Sequence, residues 1–67
     1  MASSITLKLT EDEAEIIADA LDTDLEGYVE SAKEARGNNR RAEVATFEEA
    51  AGRIRAVLEK VRALLDA

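Results

Sequence analysis

The sequence predicts a mainly α-helical fold: a short N-terminal strand, then two helices in an antiparallel hairpin that a second copy completes as a four-helix bundle. Three observations lead there. Residues 4–9 alternate apolar and polar side chains, the period of a strand. Residues 10–36 and 40–66 each repeat their apolar positions at helical spacing. Between them stands only Gly37-Asn38-Asn39, a turn so short that the flanking helices must lie antiparallel.

In the strand, Ile5, Leu7 and Leu9 share one side, with Thr6 and Lys8 on the other. Thr10 ends it and opens the first helix. Thr10-x-x-Glu13 fits a capping box, Leu9 and Ala14 occupy hydrophobic-staple positions, and Glu11, Asp12 and Glu13 acidify the first turn as the helix dipole prefers. Ala14, Ile17, Ala18, Leu21, Leu25, Tyr28, Val29, Ala32 and Ala35 fall within an arc of about 120° when drawn at 100° per residue. Gly37 suits the C′ position. Ile16 lies off this stripe and is expected to meet the strand or a second chain. Asn38 or Asn39 is the expected N-cap of the second helix. Val44, Phe47, Ala50, Ala51, Ile54, Val57, Leu58, Val61, Leu64 and Leu65 cover an arc of about 160° on that helix, wider than one neighbouring helix needs.

Size sharpens the expectation of a partner. Residues 1–67 make one domain at most, and a chain this short buries only about 60% of its unfolded surface. The unpaired strand and the wide arc both ask for a second copy. The self-association candidates are therefore Ile5, Leu7, Leu9, Ile16, Phe47, Ile54, Val57, Leu58, Val61, Leu64 and Leu65.

Composition removes several function classes. The chain has no His and no Cys, so it lacks the usual general base, the commonest neutral metal ligand, any thiol nucleophile and any thiolate zinc site. Ser3, Ser4 and Ser31 have no His to activate them, and no catalytic residue, metal ligand or cofactor is assigned. Charge interrupts the apolar runs too often for a membrane span. The opening MASSITLKLT has no apolar core of signal-peptide length, which points to the cytoplasm.

Charge is uneven. Residues 1–30 hold one base, Lys8, against nine acids, a net of −8; residues 31–67 hold eight bases against six acids, a net of +2, giving the overall −6. That balance argues against nucleic acid, whose binding depends on clustered Lys and Arg. Two candidate binding sites remain. Asp12, Glu15, Asp19, Asp22, Glu26 and Glu30 recur every three or four residues, forming a carboxylate ridge opposite the apolar stripe that suits a basic groove on another protein. Arg36, Asn38, Asn39, Arg40 and Arg41 gather guanidiniums at the start of the second helix, where free N–H groups favour an anion such as a phosphorylated small molecule.

Three resemblances add expectations. Asp22-Thr23-Asp24-Leu25-Glu26-Gly27-Tyr28-Val29-Glu30 resembles the first nine positions of an EF-hand calcium loop, but Lys33 stands where the bidentate Glu belongs. Residues 4–21 resemble the opening of ribbon–helix–helix repressors and antitoxins, and Gly37-Asn38-Asn39-Arg40-Arg41-Ala42-Glu43-Val44 looks like the start of that family's second helix. This resemblance implies strands paired across a dimer, with Thr6 and Lys8 in a DNA major groove. The whole pattern, from ITLKLTEDEAE to an Ala/Arg/Glu/Leu helix, with thirteen Ala and six Arg to three Lys, looks like the small proteins of phages that infect high-GC actinobacteria. It implies an accessory or inhibitor protein that binds a host protein, working without catalysis.

Overall fold

A computed structural model describes residues 3–66. It contains two helices, α1 (Glu11–Gly37) and α2 (Arg41–Asp66), packed side by side as an antiparallel hairpin. The capping box at Thr10 forms as the sequence predicts. The Thr10 backbone N–H donates to Glu13 Oε1 at 2.8 Å, and the Glu13 N–H donates to Thr10 Oγ1 at 3.2 Å. Leu9 packs against the cluster that contains Ala14, as a hydrophobic staple requires.

Three local expectations are corrected. Residues 4–9 form no strand, and no strand occurs among the described residues. A strand is stable only when its N–H and C=O groups meet a neighbouring backbone, and a single hairpin of helices supplies none. Gly37 is also not the C′ residue: it is the last residue of α1, and no glycine has positive φ. Asn39 takes the left-handed conformation instead, with φ 58°. The Asn39 N–H donates to the Arg36 carbonyl at 3.3 Å and the Arg40 N–H to the Ala35 carbonyl at 2.8 Å, the bond pair of a Schellman motif. Asn38 Nδ2 seals the same end by donating to the Glu34 carbonyl at 2.9 Å. Neither Asn therefore caps α2. The Arg40 carbonyl accepts its first bond, from Val44 N–H at 3.0 Å, so Arg40 stands at the N-cap.

The core is thin and rich in alanine. Ala14, Ala18, Leu58 and Val61 form its centre near the open end, with Leu9, Ile17, Leu21, Leu25 and Leu65 packed around them. Ala32, Ala35 and Ala51 are buried nearer the turn. Leu58, 2% exposed, is the one large side chain that is fully buried among the described residues. Small side chains let the helix backbones approach closely, but each removes little apolar surface from water. The molecule measures 43 × 29 × 14 Å, a single layer of two helices. No helix among the described residues is long and apolar enough to cross a membrane.

Candidate functional site

The hairpin turn assembles the basic candidates. The Schellman motif reverses the chain within three residues, bringing Arg36, at the end of α1, beside Arg40 and Arg41 at the start of α2. A groove of about 330 Å³ is lined by Arg36, Asn39, Arg40, Arg41 and Val44. Asn38 contributes no wall, because its amide is bound to the Glu34 carbonyl. Two of the guanidiniums have carboxylate partners that sequence reasoning missed. Arg36 pairs with Glu48 across the hairpin, and Arg40 Nη1 lies 3.6 Å from Glu43 Oε2. The Arg40-x-x-Glu43 spacing is a readable i,i+3 signal; the Glu48 partner follows only once the helix register is known. Arg41 is exposed and has no carboxylate partner among the described residues.

The same register fixes the carboxylate ridge. Asp22 Oδ1 lies 3.7 Å from Arg62 Nη2, so this half-buried acid belongs to the hairpin's own helix pairing. Both cross-helix ion pairs, 36 with 48 and 22 with 62, are centred on position 42. Asp12, Glu15, Asp19, Glu26 and Glu30 are exposed and make no ion pair among the described residues. They extend about 27 Å along α1 at 1.5 Å per residue. The stretch that resembles a calcium loop is continuous helix. No group of three carboxylates is arranged to hold a metal ion among the described residues.

The apolar candidates divide into two sets. Leu58 and Val61 are buried in the hairpin's own core, and Leu9, Phe47, Ile54 and Leu65 are half-buried. Phe47 packs on Tyr28, ring centroids 6.3 Å apart and planes tilted by 45°. Ile5, Leu7, Ile16, Val57 and Leu64 remain exposed. Leu7 and Leu9 meet Ala14, Leu64 and Leu65 around a groove at the open end of the hairpin, so the N-terminal segment folds back toward the end of α2. Thr6 and Lys8 are exposed on this segment, outside any strand.

The two faces of the layer differ in chemistry. At 100° per residue, Arg36, Asp22, Glu48 and Arg62 all fall on one side of the plane through the helix axes. Val29, Lys33 and Arg55 line a second groove there, with Arg36 and Glu48. The opposite side carries Tyr28, Phe47, Ile54, Val57 and Leu64. No protein-family model, curated protein or solved structure matches the chain.

Proposed function

We propose that the protein is a non-catalytic, cytoplasmic interaction protein that works as a homodimer and docks on a basic protein surface through α1. The observation that carries this reading is the free part of the carboxylate ridge: five exposed acids on one rigid helix that pair with none of the chain's own bases among the described residues. Rigid display matters because charges fixed on a helix are ordered before binding, so less conformational entropy is lost on docking. The resemblance to small actinobacteriophage proteins supports a host protein as the partner and an accessory or inhibitory role. The test is affinity capture from the source cells using the wild type and a variant with Asp12, Glu15, Asp19, Glu26 and Glu30 changed to Asn or Gln. A partner held by the wild type, released by salt and absent from the neutralised variant supports the reading. Identical captures by both proteins would sink it.

A second reading has its own observation, the arginine-lined groove at the turn. There Arg40 and Arg41 hold a phosphorylated small molecule against the first N–H groups of α2. Nucleotides should then raise the melting temperature, and Arg40→Ala with Arg41→Ala should abolish the rise. No shift with any nucleotide or inorganic phosphate removes this reading and leaves the ridge untouched.

A further inference from the structure

We propose that the face opposite the cross-helix ion pairs is the surface on which a second copy of this chain docks, with α2 of each copy lying over α1 of the other. The inference rests on the homodimer reading above and names its surface and arrangement.

Shape shows that a layer is missing. Domains bury their apolar stripes between at least two packed layers, and this hairpin is one layer, 14 Å in its thinnest direction. Its radius of gyration is 14.4 Å, against about 11 Å for a compact chain of this length. Its accessible surface is 5639 Å², against about 4,200 Å² for a compact monomer of this mass. Exposed residues 3–8 supply part of that excess, and the uncovered layer of two helices supplies the rest.

The missing layer belongs on one side only. Val57 and Leu64, 48% and 67% exposed, occur seven residues apart on α2 and share a face with the Tyr28–Phe47 pair. The other side is already occupied by ion pairs.

Charge then selects the occupant and its orientation. On α2, Val57 is bracketed one turn away on either side by Arg53 and Lys60. On α1, the same face holds a shallow depression lined by Asp24, Gly27, Tyr28 and Ser31, where Gly27 has nothing within 4 Å of a Cβ position. A basic-flanked knob on one helix therefore matches an acid-flanked hollow on the other. A two-fold axis parallel to the helices puts α2 of one copy over α1 of the next at unchanged height. Asp24 and Lys60 are centred on position 42, like both ion pairs within the chain, so the axis brings Val57 level with the hollow. The alternative, α2 over α2, would face Arg53 and Lys60 against their own copies. The interface is isologous and closes at two copies.

Sedimentation equilibrium at about 100 µM chain should give twice the 7.3 kDa mass. Val57→Glu should weaken association at least about tenfold, while Ala63→Glu, on the outer edge of the ion-paired side, leaves it unchanged. Gly27→Leu fills the hollow without touching α2 and raises helix propensity, so it should yield a monomer that stays helical by circular dichroism even if Val57→Glu unfolds. Asp24→Lys should weaken the dimer, and adding Lys60→Glu should restore it. A wild-type monomer at this concentration overturns both the interface and the homodimer. A wild-type dimer that survives both Val57→Glu and Gly27→Leu overturns this face and leaves the homodimer standing.

Discussion

Asn39 and Arg40 show how closely the turn is specified by individual side chains. Asn39 is the single non-glycine residue with positive φ among the described residues, a conformation that Asn tolerates and that costs other side chains about 1–2 kcal/mol. Asn39→Ala is therefore expected to lower stability by about 1 kcal/mol and Asn39→Gly to leave it equal or higher, measured by urea unfolding with unchanged m. Equal losses for both variants would mean that the Asn side chain, and not the backbone angle, holds the turn. The sequence pointed to Gly37 for this position because glycine is the commonest C′ residue. The stop lies two residues later, where Asn39 takes the left-handed conformation and the Asn39 and Arg40 N–H groups reach back to the Arg36 and Ala35 carbonyls. The start of α1 was legible because a capping box is complete within four residues. Arg40 breaks the local rule: a cation occupies the N-cap, where Ser, Thr, Asp or Asn is favoured. Glu43 offsets part of that repulsion. A residue that disagrees with its local structure is where function is expected to reside, which keeps the anion reading alive at this turn.

At the scale of elements, each helix is a compromise between packing and propensity. Gly52 interrupts α2 on the side away from α1, and a Cβ there would meet nothing within 4 Å. Gly52→Ala should raise stability by about 1 kcal/mol, seen as a melting temperature higher by roughly 4–8 °C for a domain of this size. No gain would show that Gly52 carries a contact outside the hairpin. Both helices were legible because their stripes persist over seven turns, and the ion pairs confirm the antiparallel arrangement. The strand was not. Period-two alternation in residues 4–9 reports where apolar side chains fall, not whether a neighbouring backbone exists to receive hydrogen bonds. The same ambiguity affects the apolar arc of α2. Periodicity placed Leu58, Val61, Val57 and Leu64 in one set, yet two are buried inside the hairpin and two face outward. Only the direction to α1, a property of the pair of helices, separates them.

For the whole molecule, net charge and layer thickness act together. Six adjacent carboxylates on α1 stand at i,i+3 or i,i+4, and each like pair opposes the helix by a few tenths of a kcal/mol. Along the ridge this amounts to about 1–2 kcal/mol at low salt. Against it stand three ion pairs, all substantially exposed, and exposed pairs contribute only about 0–1 kcal/mol each. Repulsion has a further advantage: it acts over the long Debye length of dilute salt, about 30 Å at 10 mM, whereas contact pairs act at short range. Screening should therefore remove more repulsion than attraction. The melting temperature is expected to rise with sodium chloride between about 10 mM and 1 M, by several degrees if 1 kcal/mol is recovered. Glu15→Gln with Glu26→Gln should raise the low-salt melting temperature and flatten its dependence on salt, because the repulsion being screened is then smaller. A melting temperature that falls with salt would reverse this balance and make the cross-helix ion pairs the dominant electrostatic contribution. The rise also bears on function, since a ridge that destabilises its own helix gains from any basic surface that neutralises it. The free-energy gain from relieving that repulsion adds to the affinity, so the neutralised variant should lose binding while gaining stability.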